Sequence, residues 1–232
     1  MKFVSSSGII RLTNRGVKKT VKSVHSYFTE YNALNKLKDL KGVINLLDTN
    51  KDKGVLYLEY HNLDLHSYII TNNKIVGIKK PKEKYINETV NIFKNMLPTL
   101  DECHKRDIIH GDIKPENILL DTNNYPIFID FGQATDLSTF NNFYRYMGTE
   151  GYAPPELEKG ILGYFTDVYS LGITLYISLL GKKPHILNDG SIEFDFIENE
   201  NVLPYQITNM IYDMTDPKYE NRPSIEMLDY YL

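Results

Sequence analysis

The chain has 232 residues, 42% apolar and 24% charged, enough to enclose a sizeable core in one large domain or two small lobes. Its formal charge of −4 gives no ground for general affinity toward nucleic acid or anionic membrane. Cys103 is the single cysteine, which excludes an intrachain disulfide and a zinc cysteine cluster and makes a buried apolar thiol its expected state.

The first residues contain no long apolar stretch, so no secretory signal is expected. Short runs rich in Val, Ile and Thr at residues 2–4, 9–13 and 17–24 predict strands, with Asn14-Arg15-Gly16 as a turn. From 26 to 38, Phe28, Tyr31, Leu34 and Leu37 recur at three-residue steps, as on one face of a helix. Two further strands are expected at 43–47 and 55–60, on either side of a polar connection. Five antiparallel strands and one helix are the natural assembly of residues 1–60.

After Tyr60 the pattern becomes helical. A short helix is expected at 63–70, a lysine-rich connection at 72–84, and a long helix at 85–106 whose internal Pro98 predicts a kink or break. The apolar runs Ile118-Leu119-Leu120 and Ile127-Phe128-Ile129, joined by Asp121-Thr122-Asn123-Asn124, read as a hairpin. An apolar helix at about 166–180 is too short to span a bilayer and is interrupted by Ser170, Thr174 and Ser178. Two or three shorter helices follow. The fold class expected is α+β, a β-rich lobe at 1–60 and a helical one at 61–232, in a reducing, cytoplasmic setting.

The chemistry concentrates in His110-Gly111-Asp112-Ile113-Lys114-Pro115-Glu116-Asn117 and in Asp130-Phe131-Gly132. Asp112 precedes Asn117 by five residues and Asp130 by eighteen. The intervening hairpin can bring two carboxylates and an amide to one end of a small sheet. With Lys114 close by, that set suits divalent metal ions and a polyphosphate.

These two strings resemble the catalytic loop and the metal-binding DFG motif of eukaryotic-type protein kinases, in their serine/threonine form. The resemblance implies a bilobal protein-kinase-like fold, a single kinase domain over 1–232, the cofactors ATP and Mg²⁺ (or Mn²⁺), and a protein substrate offering a serine or threonine hydroxyl. No specific nucleic acid or membrane partner is implied. By resemblance Asp112 orients the acceptor hydroxyl and takes its proton, Asn117 and Asp130 ligate the metal, and Lys114 steadies the γ-phosphate.

The resemblance further assigns Lys22, in Thr20-Val21-Lys22-Ser23-Val24, as the phosphate-binding lysine and Glu30 as its ion-pair partner. Eight residues separate them, fewer than the family usually allows, and Lys18 and Lys19 lie nearby. Against the pattern G-x-G-x-x-G-x-V, residues 3–10 keep only Gly8 and the branched Ile10. Phe3 and Ser5 stand where glycines let backbone N–H groups approach phosphate, which predicts weakened nucleotide binding. Main-chain groups of Glu59 and His61 are expected to bond adenine, with Ile10 and Leu119 on its two faces and Thr20 where a small alanine is usual. Asp64 is open between a ribose contact and a helix N-cap.

Residues 148–156, Gly148-Thr149-Glu150-Gly151-Tyr152-Ala153-Pro154-Pro155-Glu156, resemble the segment that builds the peptide platform. Thr149 is expected to bond Asp112 and Lys114, Glu156 to pair with Arg222, and Asp167 to brace the backbone at His110. Gly111 replaces the arginine that commonly reads an activation-loop phosphate, so activity without phosphorylation of Thr135, Ser138 or Thr139 is expected. Lys74, Lys79, Lys80, Lys82 and Lys84 read as a solvated basic loop. The acidic stretch Asp189, Glu193, Asp195, Glu198 and Glu200, with Glu116, favours basic peptides. A pseudokinase that keeps the fold and docks a partner is the alternative, prompted by the eroded glycine loop and opposed by Lys22, Asp112, Asn117 and Asp130.

Overall fold

Strand β1 (Lys2–Val4) turns back on β2 (Gly8–Thr13), which is joined through Asn14 and Arg15 to its partner β3 (Gly16–Val21). β4 (Leu46–Asn50) and β5 (Val55–Leu58) complete an antiparallel five-stranded sheet of order β1-β2-β3-β5-β4. The computed structural model describes residues 2–4, 7–76, 81–139, 148–187, 192–194 and 203–231. Gly8 sits opposite Val21 so tightly that a Cβ there would come within 2.4 Å of the Thr20 carbonyl oxygen, which excludes any side chain.

β3 ends at Val21, three residues before the expected limit, because Ser23 leaves the ladder to cap a helix. Its hydroxyl accepts from the Ser26 amide at 3.0 Å, and α1 (Val24–Lys36) begins at once. β4 is displaced three residues from the expected 43–47. The apolar run there joins the two lobes instead: Val43 bridges to Phe128, and the Ile44 amide donates to the Phe128 carbonyl at 3.0 Å. Val43 and Ile44 are both buried, which uses up the hydrophobic pattern that suggested a strand.

The second lobe begins with β6 (Leu63–Asp64), which joins β8 (Ile118–Leu120) and β9 (Pro126–Phe128) in a three-stranded antiparallel sheet. α2 (Leu65–Val76) is longer than expected and takes in part of the lysine-rich connection. α3 (Glu83–Lys105) runs unbroken through Pro98, so of the expected kink or break the break does not occur. Proline there deprives the Lys94 carbonyl of its donor, and Lys94 lies on the exposed side of the helix, where water can take that donor's place. β7 (Ile108–Ile109) pairs with β10 (Thr135–Asp136), and the chain closes with α4 (Tyr164–Leu180), α5 (Tyr205–Met214) and α6 (Ile225–Leu228).

α4 is buried on all sides, so its polar residues must be satisfied internally. Thr166, Ser170, Thr174 and Ser178 recur every fourth residue, and Thr174 and Ser178 each donate to the carbonyl one turn back at 2.7 Å. Ser170 also donates to the Tyr152 carbonyl at 2.9 Å, tying the helix to the segment above it. The hydroxyls that interrupt the apolar pattern are thus the fittings of a central helix. No helix of the described residues is long and apolar enough to cross a membrane.

Candidate active site

The crevice between the lobes is built around one ammonium. Lys19 Nζ lies 2.7 Å from Glu30 Oε1 and 2.9 Å from Asp130 Oδ1. This corrects the assignment of Lys22: the partner of Glu30 is Lys19. Side chains alternate along a strand, so Lys19 and Val21 share the buried face of β3, whereas Lys22 lies past its end and is exposed. With Lys19 in that place, the position expected to hold a small alanine falls to Val17 and no longer to Thr20.

Burial by itself lowers the Lys19 pKa, but Glu30 and Asp130 outweigh it and hold the ammonium above its ordinary value. Asp130 is held below the usual carboxylate range: desolvation opposes this, and Lys19 and the Ser7 hydroxyl overcome it. Glu30 is fully buried and pushed up by desolvation, because one lysine is shared between two acids. Its second oxygen, Oε2, has no hydrogen-bond partner among the described residues.

Ser7 donates to Asp130 Oδ2 at 2.6 Å, a contact the sequence did not suggest. Asp130 itself adopts the left-handed conformation, φ 61°, rare for a residue with a side chain. Phe131 after it is fully buried against the His110 ring, with centroids 4.6 Å apart.

Asp112 sits at the other side of the crevice. Its Oδ2 accepts from Lys114 at 2.7 Å and from Asn117 Nδ2 at 2.9 Å, and its Oδ1 accepts from Thr149 at 2.5 Å. Lys114 also donates to Thr149 at 2.7 Å. The Asn117 carbonyl accepts from the Ile129 amide at 3.0 Å, which couples the catalytic loop to the residue before Asp130. The expected grouping of Asp112, Lys114, Asn117 and Thr149 is therefore present.

The loop's backbone hangs from α4. Asp167 Oδ2 accepts from the His110 amide and Oδ1 from the Gly111 amide, both at 2.8 Å, and His104 Nε2 lies 2.9 Å from Oδ2. His110 Nδ1 accepts from the Asp112 amide at 3.2 Å, so the proton resides on Nε2, which donates to the Ile129 carbonyl at 3.0 Å. Arg222 holds Glu156 through two bonds of 2.5 and 2.8 Å.

The remaining expected residues divide. Gly8 is in place, Ile10 on β2 and Leu119 on β8 are half-buried, and Ser5 lies outside the described residues. Glu59 accepts from Asn45 Nδ2 at 2.9 Å, and His61 Nε2 lies 3.0 Å from Glu59 Oε1 without hydrogen-bond geometry. Asp64 accepts from the amide and hydroxyl of Ser67 at 2.7 and 3.0 Å, the geometry of a cap on α2. Lys79, Lys80, Asp189, Asp195, Glu198 and Glu200 lie outside the described residues.

An oxygen donor set of one carboxylate and one amide suits Mg²⁺. Both Asn117 Nδ2 bonds go to Asp112, at 2.8 and 2.9 Å, which leaves the amide oxygen for a cation; Asp130 supplies the carboxylate. The residues therefore fit the ion. When bound, it neutralises phosphate charge.

A five-stranded sheet that presents a buried lysine–glutamate pair over a helical lobe carrying Asp112, Asn117 and Asp130 defines a protein kinase. A protein kinase domain family model matches residues 9–229, and the chain belongs to the eukaryotic-type serine/threonine protein kinase family. Similar proteins include the carbon catabolite-derepressing protein kinase of Candida glabrata, 31% identical over 76% of this chain and 26% of its own length. The SNF1-like protein kinase ssp2 of Schizosaccharomyces pombe is 30% identical over 75% of this chain and 28% of its own length. The probable serine/threonine-protein kinase MARK-C of Dictyostelium discoideum is 30% identical over 83% and 26%, respectively. The chain thus spans about a quarter of the length of these relatives.

Proposed function

We propose that the protein transfers the γ-phosphoryl group of ATP to serine or threonine hydroxyls of protein substrates in the cytosol, as one kinase domain over residues 1–232. The observation that carries this reading is the Asp112 carboxylate, held by Lys114, Asn117 and Thr149. Three donors fix its orientation, so it can accept a hydrogen bond from an incoming alcohol and receive its proton as the P–O bond forms. Lys114 lies beside it to offset charge on the transferred group. Lys19, oriented by Glu30, supplies the cation for the remaining phosphates. Main-chain groups of Glu59 and His61 and the half-buried Ile10 and Leu119 support an adenine site.

Two features support activity without activation-loop phosphorylation. Gly111 offers no cation for a phosphate. In its place Asp136 is a built-in anion: Lys36, at the end of α1, lies 2.7 Å from Asp136 Oδ1 and donates to Ser138 Oγ at 3.1 Å. Ser138 in turn donates its amide and hydroxyl to Asp136 Oδ1 at 3.0 and 2.6 Å. Replacing Thr135, Ser138 and Thr139 together by alanine is expected to change turnover less than about threefold, given that such partly exposed contacts are worth little; a hundredfold loss defeats this part.

The Ser7 contact to Asp130 favours a second reading, a partner-docking pseudokinase whose metal ligand is already occupied. Incubation with labelled ATP, Mg²⁺ and a degenerate peptide library, followed by phosphoamino-acid analysis, separates the two. Transferase activity predicts labelled serine or threonine that disappears in Asp112→Ala. Unlabelled peptides together with retained nucleotide or partner binding favour the pseudokinase.

A further inference from the structure

We propose that Lys183 selects substrates bearing an acidic side chain close to the accepting serine or threonine, an inference that rests on the protein-kinase reading above. α4 ends at Gly181, whose left-handed conformation, φ 69°, turns the chain out of the helix. The buried Pro184 then anchors it, which leaves Lys183 exposed between two fixed points. Its Nζ lies 5.4 Å from the centroid of the Tyr152 ring. The same atom is 3.5 Å from where a Cβ on Gly151 would stand, so the ammonium lies along the backbone of the platform segment.

That segment adjoins the transfer site. Thr149, two residues before Gly151, bonds Asp112 directly. The Tyr152 hydroxyl, pushed up in pKa by burial, also feels the charges of Glu116 and Asp112. A peptide whose hydroxyl reaches Asp112 and that runs along this segment passes Gly151, against which Lys183 lies.

Lys114 is engaged by Asp112 and Thr149, whereas Lys183 has no ion-pair partner among the described residues. Glu116, at the same border, stands 3.3 Å from His66 Nδ1, and Glu193 stands 3.5 Å from His185 Nδ1. Of the acids that suggested basic peptides in the sequence, Glu116 and Glu193 each lie beside a histidine, and Asp189, Asp195, Glu198 and Glu200 lie outside the described residues. A carboxylate from the substrate would meet the exposed Lys183 ammonium beside the Tyr152 ring.

The test is a set of serine peptides in which each position flanking the acceptor is varied among Asp, Ala and Lys, assayed with the wild-type chain, Lys183→Ala and Lys183→Glu. In the wild type, Asp at one flanking position should raise kcat/KM over Ala by about threefold, within the range of an exposed charge pair. That ratio should fall to about one in Lys183→Ala and invert in favour of Lys in Lys183→Glu. Ratios within one variant cancel any loss of folded enzyme. An acidic preference that persists in Lys183→Glu, or no acidic preference at any position, overturns the inference while leaving the kinase reading intact. Absence of transfer to every peptide overturns both.

Discussion

Replacing Lys19 by methionine tests the whole arrangement of the crevice. The ammonium is 2.7 Å from one carboxylate oxygen and 2.9 Å from another, so those oxygens stand no more than about 5.6 Å apart. Without the cation, their repulsion at an effective dielectric of about 20 is ~3 kcal/mol, or roughly two pKa units. Glu30, fully buried and already pushed up, would take a proton or swing away, and α1 would lose its tie to β3. Loss of one preorganised cation at a site of charge development typically costs about 10²–10³ in turnover. Initial rates of labelled phosphate transfer at saturating Mg-ATP should show that drop for Lys19→Met, with Lys22→Met within about twofold of wild type. Circular dichroism melts of both variants would separate lost chemistry from lost fold. Transfer retained in Lys19→Met and abolished in Lys22→Met would refute the reasoning.

Glu156→Gln leaves the buried Arg222 guanidinium without its charge partner; a cost of about 3–5 kcal/mol lowers the melting temperature by roughly 6–20 °C in a calorimetric scan. Ser7→Ala removes one donor from Asp130 Oδ2, and nucleotide titration should show Mg-ATP binding tightened by about fivefold, the worth of a typical hydrogen bond. Asp136 has a depressed pKa: burial opposes the shift, and Lys36 and Ser138 prevail. Its contribution is therefore complete above an unfolded value of about 3.9 and disappears as pH falls through the lower folded value. Stability measured by urea titration should fall less steeply on the acid side in Asp136→Asn than in the wild type.

The catalytic loop was legible because its chemistry is local. Asp112, Lys114 and Asn117 lie within six consecutive residues, and the hairpin behind them fixes where Asp130 arrives. Lys19 was not. Three lysines at 18, 19 and 22 look alike in sequence, and the distinction lies in which strand face turns inward, a property set by the whole sheet. The apolar run at 43–47 misled for a related reason: Val43 and Ile44 serve an interlobe contact, and local pattern carries no label for the element that will cover them. The contacts Ser7–Asp130 and Lys36–Asp136 join residues more than ninety positions apart, beyond the reach of spacing.

Asp130 receives bonds from the loop before β2 and from β3, both across the crevice. On the proposed reading Asp130 ligates the metal, and a metal–nucleotide complex that takes up Oδ2 displaces the Ser7 hydroxyl from it. Entry is therefore a two-event process, an opening followed by capture, and its observed rate should level off at high nucleotide concentration instead of rising without limit. On that reading one carboxylate both receives the metal and sets the tempo at which the cleft can be filled.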